Sequence, residues 1–249
     1  MVVLVHGFKG YKDWAFFPWL AEFLAGEGLA VCRFDSSRCG ISEGSETFDR
    51  LDLFENDTYS TQIADLKAVI DRLRADQATA NLPIAVFGHS RGGAVSLITT
   101  SEDPEIRAVA TWAAIATTNR WDEKTTQNWR RDGRWMVENT RTKQIMPIST
   151  RLLDDWEQNR VRFDVMQAVG RVTQPLLVVH GTKDETVHSD DARQIVSVAR
   201  EGSNLLLIEG ASHTFGAIHP LLHVPMHLKL AAEVTASFFR ANARRVTSG

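Results

Sequence analysis

Six short, mostly apolar runs punctuate the chain, at residues 2–6, 29–34, 84–88, 109–115, 176–180 and 205–208. Their apolar positions are consecutive rather than alternating, as expected of strands covered on both faces. Between them, residues 14–24, 61–74, 94–100, 190–199 and 228–242 space their apolar side chains at helical period. Strands alternating with amphipathic helices predict an α/β fold, with a mostly parallel sheet of about six strands flanked by helices. Sheets of this kind gather ligands at the carboxyl ends of their strands, so functional residues should follow strands directly.

One stretch breaks the rhythm. Residues 117–165 are charged, lack a clear strand and hold Trp121, Trp129, Trp135 and Trp156, four of the seven tryptophans. A structureless loop of that length is uncommon inside a compact domain, so the stretch is read as a helical cap insertion over the site. The plain alternative is a solvated helical excursion with ordinary core tryptophans. The whole chain, 1–249, is then one domain carrying this cap, and residues 243–249 read as a frayed tail.

Composition narrows the function. A formal net charge of −3 gives no reason to expect nucleic acid or an anionic membrane as partner. No apolar run has the length of a membrane span, and the opening MVVLVHG lacks the features of a signal peptide. Cys32 and Cys39 are the only cysteines, which is no disulfide framework, and Cys32 reads as a small core residue. The expected location is the reducing cytoplasm.

The chemistry sits at strand ends. Gly88-His89-Ser90-Arg91-Gly92 matches G-x-S-x-G between the strand-like run IAVFG and a helical segment beginning near Gly93. A sharp strand-to-helix turn there would lift a serine oxygen clear of the backbone. A serine needs a base and an orienting carboxylate to become nucleophilic. Asp184, in HGTKDETV, and His213, in GASHTF, each follow a strand-like run, giving the order Ser, Asp, His. Glu185 is the runner-up acid, while His180 and His188 flank the acid loop without following the last strand. Backbone N–H groups of Arg91, after the serine, and Phe8, in the HGFKG loop, are the candidate oxyanion donors. Phe8, Tyr11, Trp121 and Trp135 are the candidate substrate contacts. His219, His223 and His227 are spaced by four, but Pro220 and Pro225 interrupt any shared helix face, so no metal or other cofactor is expected.

HGFKG, GHSRGG, HGTKDETV and GASHTF together resemble the α/β-hydrolase superfamily, and the passage from Arg33 to Ser42 resembles its next strand-to-loop segment. The closest likeness is to small bacterial esterases related to cinnamoyl esterases and to the dienelactone-hydrolase and serine-aminopeptidase branches. Dienelactone hydrolases carry cysteine where this chain has Ser90. The resemblance implies a serine carboxylic ester hydrolase that works through an acyl-enzyme on short-chain or aromatic esters. It also implies that the family's N-terminal strands are missing, leaving residues 29–34 at or near an exposed edge. A clipped N-terminus, or a homodimer formed through that edge, would follow.

Two other functions stay open. A small-peptide aminopeptidase or amidase uses the same three residues and would need an acidic anchor for the substrate amine. Asp122, Glu123, Asp132, Asp154 and Asp155 of the insertion are its candidates. A non-catalytic binding protein of the same fold would be expected to have lost one of the three residues.

Overall fold

The computed structural model describes residues 1–242; the expected tail at 243–249 lies outside the described residues. Six strands form one parallel sheet: β1 (Val2–Val5), β2 (Val31–Arg33), β3 (Ala85–His89), β4 (Val109–Trp112), β7 (Leu176–Gly181) and β8 (Asn204–Ile208). Their spatial order is β2-β1-β3-β4-β7-β8, with β1 paired to β3 from Val2 opposite Ala85 to Val5 opposite Gly88. The central strands β1, β3, β4 and β7 are buried along their whole length, which explains why they read as unbroken apolar runs.

Helices α1 (Phe17–Gly26), α3 (Tyr59–Ala75), α4 (Arg91–Glu102), α8 (Asp190–Val198) and α9 (Met226–Asn242) accompany the sheet. The short helices α2 (Leu51–Phe54) and α7 (Val165–Arg171) were not foreseen. Trp14 to Phe16, expected to be helical, precede α1 instead. Ala15 takes φ 46°, outside the helical region, and Pro18 enters the first turn, where its missing N–H costs nothing. The run at 109–115 stops as a strand at Trp112, because Ala113 turns to φ 48°.

β2 is the sheet edge, as the family resemblance implied, and it is only three residues long. Short edges limit pairing with another chain. Cys32 and Cys39 are free thiols, and burial pushes Cys39 up to about 11.

The insertion departs from the all-helical expectation. Besides α5 (Glu123–Asp132) and α6 (Arg151–Gln158), it contains an antiparallel hairpin, β5 (Arg134–Glu138) and β6 (Ile145–Ser149). In β5 the exposed residues Arg134, Met136 and Glu138 alternate with half-buried Trp135 and Val137, a period-two pattern too brief to stand out among the charges. Trp129 is the centre of the insertion's core. Its indole donates to the Ile148 carbonyl at 2.8 Å, and its ring lies 5.5 Å from Trp121 and 5.3 Å from Trp135. Trp156 joins this cluster through Trp121 and donates to Thr118 Oγ1 at 3.0 Å.

Candidate active site

Ser90 stands between β3 and α4 with φ 57° and ψ −122°, a backbone conformation strained for a residue with a Cβ. The turn is held by the Ser90 N–H donating to the Trp112 carbonyl at 2.9 Å and the Gly93 N–H donating to Ser90 at 3.0 Å. It is also tightly wedged. A Cβ on Gly92 would sit 2.4 Å from the His6 carbonyl oxygen and 2.5 Å from that of Val5, and one on Gly7 would lie 3.0 Å from the Ser90 Cβ. The HGF loop and the serine turn therefore press backbone against backbone. Gly92→Ala is expected to cost about 3 kcal/mol of stability, because neither carbonyl can withdraw without moving β1; urea denaturation of the variant measures this.

His213 and Asp184 meet at the ends of β8 and β7. The His213 imidazole is bonded through Nδ1 to Asp184 Oδ2 at 2.7 Å. Asp184 is buried, and its other oxygen accepts the N–H groups of Thr186 and Val187, both at 2.9 Å. Burial alone would raise the Asp184 carboxyl. Bonds from His180, His213 and the Val187 N–H overcome that and hold it well below the usual carboxylate range. Glu185, the alternative acid, is exposed and does not meet His213.

Two further histidines act around this pair, and the sequence reading missed both roles. His180 is fully buried behind Asp184, with Nε2 2.9 Å from the Val187 carbonyl and 3.2 Å from Asp184 Oδ2. His89, the variable residue of the pentapeptide, lies 3.0 Å through Nε2 from the His213 carbonyl. Burial, helped by nearby His213, lowers His89 to about 3, so it stays neutral and its Nε2–H donates to that carbonyl. The signal for each was a histidine inside an apolar strand, where an imidazole needs a polar partner.

Phe8, Ser90 and Arg91 line one cavity of about 750 Å³, which His213, Trp121 and Trp135 also line. Among the described residues the Phe8 N–H meets no acceptor, and the Arg91 N–H belongs to the first turn of α4, which a helix leaves without an internal partner. The HGF loop is oriented by His6, whose Nε2 accepts the Ser36 N–H at 3.1 Å while Nδ1 donates to the Gly7 carbonyl at 3.0 Å. His6, Asp35 and Cys39 group ligand-type atoms within 4.8 Å, but both imidazole nitrogens are already committed to the backbone.

Tyr11 is a correction. Expected on the pocket wall, it is buried away from the cavity lining, with its hydroxyl 3.1 Å from His219 Nε2 and its ring edge-on to Phe48. His219 serves structure here, its Nδ1 accepting the Ala15 N–H at 2.9 Å. The Arg91 side chain lies over the rings of Phe8 and Tyr59, at 4.2 and 4.9 Å, and 3.5 Å from buried Asp57. Burial, opposed by Arg91 and Gln62, raises the Asp57 carboxyl to about 7.

Residues 2–224 match the model of the alpha/beta hydrolase family. The chain belongs to that family. It is 24% identical over 215 residues to YfhR of Salmonella typhimurium, an uncharacterized protein, covering 85% of this chain and 63% of YfhR. This member of the family thus spans under two thirds of that relative's length. In three dimensions it is similar to Est1E from Butyrivibrio proteoclasticus with ferulic acid bound, at TM-score 0.73 and 20% identity over 96% of this chain and 88% of that one. It is also similar to the esterase domain of a Rhodothermus marinus protein, at TM-score 0.64 and 21% identity over 98% and 87% of the two chains. Among the described residues no helix is long and apolar enough to cross a membrane.

Proposed function

We propose that the protein is a serine carboxylic ester hydrolase acting through an acyl-enzyme on Ser90. The observation that carries this reading is the 2.7 Å bond from His213 to a buried, ionised Asp184, beside a strained serine that opens into the cavity. Ser90 Oγ attacks the ester carbonyl carbon while the free nitrogen of His213 takes its proton. The carbonyl oxygen becomes an oxyanion between the Phe8 and Arg91 N–H groups. His213 returns the proton to the departing alkoxide, leaving the acyl group on Ser90. A water then repeats the sequence and frees the acid. Asp184 fixes the imidazole with its proton on Nδ1 and stabilises the cation formed in each half. His180 and His89 are positioning residues, the first for Asp184 and the second for the His213 backbone.

The cavity is walled by Phe8, Trp14, Tyr59, Trp121, Trp135 and Leu152, a size and surface suited to short or aromatic acyl groups. The likeness to Est1E, found with ferulic acid bound, and to the Rhodothermus marinus esterase domain supports the same class of bond. The aminopeptidase reading needs an acid facing the substrate amine. Asp122 caps α5, Asp132 and Asp154 bind Arg131 and Arg130, Asp155 binds Ser60, and Glu123 bonds Gln127. None of the five lines the cavity.

A panel of 4-nitrophenyl esters, from acetate to decanoate and benzoate, run beside aminoacyl 4-nitroanilides tests the assignment. Acetate, butyrate and benzoate are expected to turn over at least 100-fold faster, in kcat/KM, than any anilide. Faster anilide cleavage would make the protein a peptidase, and no turnover with either class would make it a binding protein.

A further inference from the structure

The cavity is cationic to a degree that plain ester hydrolysis does not require. Among the described residues Lys9, Arg91, Arg120, Arg141 and Lys183 line it, against a single lining carboxylate, Glu185. Two of the five cations are matched within the protein, Arg91 by Asp57 and Arg120 by Asp191, each at 3.5 Å. Among the described residues Lys9, Arg141 and Lys183 have no carboxylate within ion-pair distance.

Lys9 and Arg141 form a pair. Lys9 follows Phe8 in the HGF loop, and its ammonium donates to the Glu138 carbonyl at 3.0 Å. Glu138's own carboxylate is turned to Lys143, 3.5 Å away. Arg141, in the turn between β5 and β6, donates to the Lys9 carbonyl oxygen, and its guanidinium lies over the Trp14 ring at 4.3 Å. Hairpin and HGF loop thus bring two like charges together at the cavity rim with only neutral partners. Burial, then the neighbouring Arg141 and Arg91, lowers the Lys9 ammonium from its usual value, which is the mark of a cation short of an anion. The arrangement costs free energy in the empty protein and recovers it when an anion enters. Trp14, which stacks the arginine fork, and Phe8 line the cavity beside the pair.

We infer that the substrate is an ester bearing a second, ionised carboxylate, which Lys9 and Arg141 hold at the cavity rim beside the Phe8 N–H. This rests on the ester-hydrolase reading and narrows it to an anionic substrate class. It also predicts that a substrate amine is disfavoured, since an ammonium group would enter a field of its own sign.

Two matched pairs test it and distinguish which side of the ester carries the charge. The acyl-side pair is the mono-4-nitrophenyl ester of terephthalic acid and its methyl-capped diester. The alcohol-side pair is 4-carboxyphenyl acetate and its methyl-capped counterpart. In at least one pair the ionised ester is expected to have a tenfold or greater advantage in kcat/KM, reduced in 0.5 M sodium chloride because the rim is open to solvent. Arg141→Gln and Lys9→Met should each erase most of that advantage, and Arg141→Lys should retain part of it. Turnover of the capped ester in the same samples reports that each variant is folded. An advantage absent from both pairs, or equal in Arg141→Gln and the parent protein, overturns the inference. If no ester of any kind is cleaved, the hydrolase reading fails by itself. The anion site is then read by calorimetry with terephthalate: weaker binding to Arg141→Gln upholds it, and equal binding overturns it.

Discussion

Ser90→Ala is expected to lower kcat/KM for 4-nitrophenyl butyrate by about 10⁵- to 10⁶-fold and to abolish the burst of nitrophenol that accompanies acylation. The loss should stop short of the uncatalysed rate. Phe8 and Arg91 still line the cavity, and the oxyanion hole proposed for their N–H groups would still stabilise negative charge on a bound ester attacked by water. Alanine keeps a Cβ, so it inherits the strain of φ 57° and ψ −122° and should leave the thermal midpoint within a few degrees of the parent protein. Intact-protein mass measured within the burst should show one acyl group on the parent chain and none on the variant. An acyl adduct on the variant, or an undiminished rate, would remove Ser90 from the chemistry.

Asp184→Asn should cost about 10⁴-fold in kcat, the scale found when such a carboxylate becomes an amide and the imidazole is held in the wrong tautomer. The same substitution has a second signature in stability. Asp184 titrates lower in the folded protein than in the unfolded chain, so the folded state favours its ionised form. Its contribution is therefore fully present above about pH 4, the unfolded carboxyl value. It is lost as pH falls through the lower folded value. The variant should be less stable than the parent at pH 7, and the gap between their urea midpoints should narrow on acidification from pH 5 to pH 3. A gap that widened in acid would mean that burial outweighs the bonds from His180, His213 and the Val187 N–H.

The sheet was readable because its central strands are buried on both faces: VVLV and LLVV cannot be amphipathic helices of that length, and turn residues bound them. The positions of Ser90, Asp184 and His213 followed from the rule that such sheets display function at strand ends. The hairpin was not readable. Its alternation is confined to the five residues of β5, its second strand buries three residues in a row and contains Pro147, and the tryptophan that anchors it, Trp129, lies on the preceding helix. Nor could spacing reveal His180 and His89 as partners of the acid and the base, since each looks like a polar residue closing an apolar run. Tyr11 was misplaced because sequence proximity to Phe8 says nothing of direction. Lys9 takes φ 56°, and that turn leads the chain away so that Tyr11 points to His219 rather than into the cavity.

The hairpin also separates two inheritances. Ser90, Asp184 and His213 each sit where a sheet strand ends, whereas Arg141, Trp121 and Trp135 ride on an excursion between β4 and β7 with its own small core. Substitutions or insertions in the turn at 139–144 are expected to redraw which molecules are admitted while leaving Ser90, Asp184 and His213 in place. Divergence among descendants of this chain should therefore accumulate in that turn first, as changes of diet rather than of chemistry.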